Sequence, residues 1–253
     1  MNETIIVIDV ANLSHRNFHV GKLIKPVSAN SNYAIIFGLL RDLGNLSRIL
    51  NSHNFIFCFD GKDSIRKDYY PAYKANREQT EDKKTIDKAI NDLRVHVLPR
   101  LGYRNICYHP KYEADDWIAF VIKECPDWKY IIVSNDSDLY QSLAKNVAIW
   151  NPHTKFQMNA DWLWTNHRMR PEEWAYFKAL TGCKTDNIEG VPKVGPVTAT
   201  SYIRKEMTAG KMVTHIESFR YKIAEYLTLT TLPHHQLEDP EFEFQADEIK
   251  EED

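Results

Sequence analysis

The sequence predicts an α/β fold built on a mostly parallel sheet. Two observations carry that prediction: apolar runs ending in an acid recur before Asn151, and stretches with apolar residues at helical spacing separate them. Strands alternating with helices are the pattern of a sheet whose crossover helices cover its faces. The 253 residues, 43% hydrophobic, suffice for a sizeable core in one large domain or a domain plus an appendage.

"TIIVIDVAN" reads as a buried parallel strand with Asp9 at its carboxyl end, because an unbroken apolar run suits a strand covered on both sides. "YAIIFGLLRDLGNLSRILN" has the spacing of a long helix, and "HNFIFCFDG" repeats the strand pattern up to Asp60. "TIDKAINDLRVHVLPRL" is a helix expected to stop at the Leu98–Pro99 junction. "YEADDWIAFVIKE" is a helix with an acidic start, and "KYIIVSNDSD" a further strand followed by Asp136 and Asp138. After about Asn151 helices dominate, around "ADWLWTNH", "PEEWAYFKALTG", "GPVTATSYIRKEM" and "SFRYKIAEYL". A soft boundary near residue 158 leaves a core over 1–158, a helical region over 159–236 and a tail over 237–253.

The net charge of −3 hides an asymmetry. From Leu237 onward nine acids face only Lys250, so the tail carries −8 and residues 1–236 carry +5. Such a tail is expected to be a solvated or loosely packed end. No apolar run approaches the roughly 20 residues of a membrane span. "MNETIIVIDVAN" lacks a basic leader and reads as a first strand rather than a signal peptide. The four cysteines form no CxxC pair, which argues against zinc and for a reducing, cytoplasmic setting.

In open α/β sheets ligands bind beyond the carboxyl ends of the strands. Asp9, Asp60 and Asp136 each stand at such an end, with Asp138 close behind. One such aspartate is an ordinary turn or cap residue; three strands delivering carboxylates to one edge call for a cation. "EADDW" adds Glu113, Asp115 and Asp116. Acids favour a helix N-terminus on their own account, and Asp115 points about 100° away from Asp116. Glu113 and Asp115 are therefore the firmer ligand candidates. Carboxylates without matching histidines suit Mg²⁺ or Mn²⁺, the usual equipment for phosphodiester hydrolysis. With the eight candidate acids, Asp186 included, set aside, residues 1–236 carry +13, as a phosphate-backbone partner requires. "DGKDSIRKDYYPAYKANREQ" then interleaves Lys62, Arg66, Lys67, Lys74 and Arg77 with Tyr69, Tyr70 and Tyr73, cations for phosphates and rings for exposed bases.

"FDGKDSIRKDYYPAYKANR", "EADDWIA", "VSNDSDLYQ" and "TGCKTDNIEGVPKVGPVTA" resemble, in order, the successive motifs of the flap endonuclease/5′-nuclease family. The resemblance runs from Asp9 to about Tyr202, and the absence of a Met-Gly start points to the bacterial or phage branch. It implies a PIN-like core with a helical arch at about 62–100 that passes single-stranded 5′ ends, and a helix–three-turn–helix at about 182–206 that grips duplex backbone. Asp9, Asp60, Glu113, Asp115 and Asp116 match the family's first metal cluster, and Asp136, Asp138 and Asp186 its second, for two Mg²⁺ (or Mn²⁺) ions. Lys74 and Arg77 match the residues at the arch base that contact the scissile phosphate, and Arg16, Arg66 and Tyr73 fit positions along the substrate path. Gly190, Lys193 and Gly195 fall in the duplex-gripping element, where the family often holds K⁺ on backbone carbonyls. There Gly190 and Gly195 permit tight turns, and Pro196 suits the first turn of a helix whose free N–H groups can hold a phosphate.

Two departures stand out. Lys193 occupies a position that is usually glycine, and Cys183 one where many relatives carry an aspartate, which weakens the second cluster. The implied activity is a metal-dependent, structure-specific 5′ nuclease. It would act as a monomer on DNA with a 5′ flap, overhang or junction, with an RNA primer as a further substrate and a polymerase or other replication protein as a partner. The alternative is a branched-DNA-binding protein of the same fold with decayed chemistry; Cys183 favours it, while the full first cluster and Lys74 oppose it. A small PIN-type ribonuclease toxin is a poorer match, being shorter than this chain.

Overall fold

The computed structural model describes residues 4–24, 31–235 and 242–248. Its six strands are β1 (Thr4–Asp9), β2 (Asn54–Cys58), β3 (Ile106–Cys107), β4 (Lys129–Val133), β5 (Val147–Asn151) and β6 (Phe156–Met158). They form one sheet in the order β3-β2-β1-β4-β5-β6, parallel except for the β5–β6 pair. The helices are α1 (Val10–Ile24), α2 (Ser31–Leu50), α3 (Ile65–Tyr69), α4 (Glu81–Asp92), α5 (Leu98–Arg100), α6 (Ala114–Glu124), α7 (Ala160–His167), α8 (Trp174–Thr181), α9 (Pro196–Ile203), α10 (Lys211–Ser218) and α11 (Arg220–Thr230). Among the described residues no helix is long and apolar enough to cross a membrane.

The alternation of side chains along β1 explains its unbroken apolar run. Ile6 and Ile8 pack toward one layer with Leu13, Leu39, Leu43 and Leu93, while Ile5 and Val7 pack toward the other with Trp117, Ile118 and Val121. A strand covered on both faces needs apolar residues at every position. The second layer also takes in Leu163, Trp174, Phe177, Leu180, Ile223 and Leu229. One core thus runs across the boundary expected near residue 158.

Register places the acids. Asp9 pairs with Cys58, and Ile8 with Val133. Asp9, Asp60 and Asp136 therefore leave the sheet at one edge.

One expectation is corrected. The helix expected to end before Pro99 continues to Arg100, because Leu93–Val97 widens into a π turn in which the Leu98 N–H bonds the Leu93 carbonyl. In a regular α-helix the proline ring would strike the carbonyl four residues back; the wider turn shifts that carbonyl away. The tail, expected to be solvated or loosely packed, is described only over 242–248, where its residues are exposed or half-buried. Residues 242–248 pack along the amino end of β3. There Asn105 bonds the Gln245 backbone in both directions, the Glu248 N–H bonds the Gly102 carbonyl, and Phe244 stacks edge-on against Trp128. The remainder of the 237–253 tail lies outside the described residues.

Candidate metal centre and nucleic-acid interface

The strand ends and the start of α6 build the first cluster. Asp9 is buried, its carboxylate accepting from the Asn12 N–H at 3.0 Å and from the Ser134 hydroxyl at 2.9 Å. Burial, then repulsion from Asp60 and Asp136, pushes Asp9 up to about 7. Asp60 accepts from the Ala114 N–H at 2.8 Å and is likewise raised, by desolvation and by Glu113, in spite of Lys74. Asp115 is raised by burial and by Asp116, and its Oδ1 is buried with no hydrogen-bond partner among the described residues. Glu113 caps α6, and a ligand oxygen from each of Glu113, Asp115 and Asp116 lies within 4.8 Å of the others. Burial alone would raise Glu113, but Lys74 and Arg66 hold it down at about 2. Carboxylates forced into mutual repulsion, with an orphaned buried oxygen, fit a hard divalent cation.

The second cluster is differently furnished. Asp136 caps the short turn Ser137–Ser142 and accepts from the Asp138 N–H at 2.9 Å. Ligand atoms of Asp138, Cys183 and Asp186 also lie within 4.8 Å of one another. Yet Asp138 is ion-paired with Lys178 at 2.7 Å and Asp186 with Arg77 at 2.8 Å. The Cys183 sulfur sits 3.0 Å from the Thr185 hydroxyl, and burial raises its thiol pKa. Two engaged carboxylates and a neutral thiol do not fit a hard divalent cation. Sequence reasoning missed Lys178; its signal was a lone charge inside the apolar helix "WAYFKALTG".

The basic stretch divides. Lys74 reaches the acids, its ammonium 2.7 Å from Glu113 Oε1, and it holds a left-handed backbone at φ 53°. Strain of this kind in a non-glycine residue clusters at functional sites. Its N–H bonds the Asp186 carbonyl, and Arg77 bonds both the Thr185 carbonyl and Asp186, so this segment is docked onto the second cluster. Arg66 and Tyr73, expected along the substrate path, are instead 1% and 3% exposed. Arg66 makes a two-pronged pair with Asp116 at 2.6 and 2.8 Å, and the Tyr73 hydroxyl donates to Glu113. They brace the acids from behind. Asp116, fully buried, has both oxygens taken by Arg66 and by the backbone N–H groups of Glu113 and His234, which makes it a bracing residue beside the ligands. Arg16 is ion-paired with Asp42 at 2.8 Å.

Above the first cluster lies a cleft of about 520 Å³ between α1, α4 and residues 59–79. Asp60 and Glu113 line it together with Lys62, Lys67, Lys74, Arg77, Lys83 and Arg94. Lys83 and Arg94 project from the segment expected to form the arch.

Between α8 and α9, Gly182 and Gly190 stand back to back at φ 78° and 72°, and a Cβ on Gly190 would lie 2.4 Å from the Gly182 nitrogen. Gly195, expected to serve a tight turn, caps α9 in extended backbone with open space around it. Lys193 is exposed at φ 66°, a conformation that explains why glycine suits this position. Lys193→Gly is expected to change stability by no more than about 1 kcal/mol, relief of left-handed strain being offset by glycine's chain entropy. If Lys193 meets a phosphate, the same variant lowers the salt slope of duplex binding by about one. Urea melts and a salt titration of DNA affinity check both arms.

A parallel sheet gathers acids at its carboxyl edge beneath a cleft whose charged lining is largely cationic, the arrangement that metal-dependent phosphodiester cleavage calls for. Residues 4–170 match the family described as 5′-3′ exonuclease, N-terminal resolvase-like domain, and the chain belongs to that family. It is 27% identical over 248 residues to the thermostable DNA polymerase I of Thermus thermophilus, covering 90% of this chain but 29% of the polymerase, so it spans under a third of that relative's length. It is 26% identical to a 5′-3′ exonuclease of Buchnera aphidicola, covering 87% of this chain and 76% of that one. Among solved structures, a T5 5′-exonuclease with bound divalent zinc superposes with a TM-score of 0.74 at 20% identity, over 91% of this chain and 90% of that one. The catalytic core of Rad2 in complex with DNA gives 0.57 at 16%, over 97% and 82%. At these identities the structural likeness establishes the fold. The first carboxylate cluster has the hard-oxygen chemistry that suits a divalent cation.

Proposed function

We propose that this chain is a structure-specific 5′ nuclease that cleaves DNA near 5′ flaps, overhangs or single-strand/duplex junctions. The observation that carries the reading is that Asp60 and Glu113 of the first carboxylate cluster line a cleft whose other charged lining residues, Asp87 apart, are cationic. Asp9, Asp60 and Asp115 would hold Mg²⁺ or Mn²⁺, their oxygens being hard donors, with Glu113 beside them already engaged by Lys74, Arg66 and Tyr73. When bound, the cation supplies Lewis-acid polarisation of the phosphate and a more acidic attacking water. Lys74, kept protonated by Glu113, places a fixed positive charge beside that floor for the charge that develops on the phosphate. Arg77 stands at its rim, and Lys62, Lys67, Lys83 and Arg94 offer a track for a single strand's phosphates. The exposed start of α9 with Lys193 would hold duplex backbone, with K⁺ on the carbonyls of the preceding turn. An RNA-primed 5′ end is a further substrate, a replication polymerase a further partner, and a monomer in the cytoplasm of a bacterium or a phage-infected cell the expected setting.

The test is cleavage of end-labelled 5′-flap, blunt duplex and single-stranded DNA with Mg²⁺, Mn²⁺ or EDTA. Metal-dependent cuts at the flap junction are expected. Tight flap binding without metal-dependent cleavage would establish the alternative, a binding protein with decayed chemistry, which Cys183 favours.

Lys74→Ala is expected to lower the single-turnover rate by about a hundredfold or more, because a cation aimed at developing charge acts in the transition state. Flap affinity in Ca²⁺ should fall by less than about tenfold, the loss of one backbone contact among several. A change confined to affinity would reduce Lys74 to an ordinary phosphate contact.

A further inference from the structure

We propose that the Lys178 ammonium is the resident cation of the second acidic cluster, so that the enzyme holds one divalent ion tightly, in the first cluster. The inference rests on the nuclease reading above for its first-cluster ion.

The two clusters differ in what their carboxylates already touch. In the first, Asp9, Asp60 and Asp115 have no ion-pair partner among the described residues, and Asp115 Oδ1 is buried and orphaned. In the second, every buried carboxylate has a cation of its own. Lys178 extends from α8 with its side chain 14% exposed, placing Nζ 2.7 Å from Asp138 Oδ1 and 3.5 Å from the Ser137 hydroxyl. That Oδ1 is buried, and the ammonium is its one described ion-pair partner. Asp186 is matched by Arg77 across the cluster. Three carboxylates facing two fixed cations leave one negative charge, on the exposed Asp136. An incoming dication would have to displace a half-buried ammonium from its carboxylate and work against Arg77.

The third position reinforces this. Cys183 offers a soft sulfur already paired with the Thr185 hydroxyl, where a hard cation wants carboxylate oxygen. Lys178 and Cys183 thus form a pair: one supplies the charge a metal would bring, and the other withholds the ligand that would hold it. The ammonium belongs to the protein, so the cluster keeps this counter-charge to Asp138 at any metal concentration.

The test is Mn²⁺ titration of the full chain without DNA, with free Mn²⁺ read by electron paramagnetic resonance and melting temperature measured on each variant. Wild type is expected to take up one tight ion, lost in Asp60→Asn, and any second ion much more weakly. Lys178→Met should tighten the second site by about tenfold or more, the effect of removing a unit charge a few ångströms away. Adding Cys183→Asp should tighten it again, while Lys178→Arg should leave it weak. Two ions of similar affinity in wild type would overturn the proposal, as would a folded Lys178→Met with an unchanged second site. Should Lys178→Met not fold, Lys178→Gln and the wild-type stoichiometry decide. The outcomes separate cleanly from the functional reading: a tight ion that survives Asp60→Asn sinks the first-cluster assignment. Absence of flap cleavage with the expected stoichiometry sinks the nuclease reading and leaves the role of Lys178 standing.

Discussion

Asp60→Asn is expected to lower cleavage of a 5′-flap substrate by about a thousandfold or more, a loss on the scale of removing a principal source of transition-state charge stabilisation. Flap affinity in Ca²⁺ or EDTA should stay within a few-fold, since phosphate contacts by the cleft's cations supply it. Asparagine keeps an oxygen for the Ala114 N–H, so the start of α6 stays in place. What it removes is the charge that, with Asp136 and burial, holds Asp9 up near 7. The metal-free variant should therefore melt no lower than wild type near neutral pH, and higher if relief of that repulsion dominates. Melting curves without metal, set beside single-turnover rates with it, check both halves. Turnover like that of wild type would remove Asp60 from the site.

What the sequence made legible follows from how parallel sheets are built. β1, β2 and β4 announce themselves as apolar runs because both their faces are buried, and the residue that follows each run must leave the core. Asp9, Asp60 and Asp136 were readable for that reason, and the alternating pattern sufficed to put them on one edge. β3 was not, having two residues and no periodicity to detect. Arg66 and Tyr73 were misplaced because they stand among Lys67, Asp68 and Tyr69, exposed neighbours of the same types. Arg66 meets the end of α11 across 163 positions and Tyr73 meets Glu113 across 40, contacts that local pattern cannot register. Lys178 was overlooked for the opposite reason. A single lysine in an apolar helix looks like a surface position until the fold brings Asp138 to it. The tail's charge gave no sign that Phe242 and Phe244 carry apolar surface that packs against the core.

Arg66→Met is expected to cost about 3–5 kcal/mol, the usual penalty for removing one partner of a buried ion pair. That is a large share of a typical domain's stability of about 5–15 kcal/mol. The guanidinium is 1% exposed, grips Asp116 with two nitrogens, reaches Glu113 at 3.2 Å and bonds the Leu229 carbonyl at 2.9 Å. Methionine fills part of the volume but strands Asp116, which is fully buried. Arg66→Lys should recover only part of the loss, because an ammonium cannot make the forked contact and reach Leu229 as well. The pH dependence has a definite sign. Glu113 is held near 2 in the folded chain against an ordinary 4.5. Its contribution is therefore fully present above about 4.5 and is lost as pH falls toward 2. Part of that depression comes from Arg66, so wild type should lose more stability on acidification than Arg66→Met, and their urea midpoints should converge at low pH. If Arg66 instead lined the path of the substrate, the variant would weaken flap binding and leave the urea midpoint at neutral pH where it was.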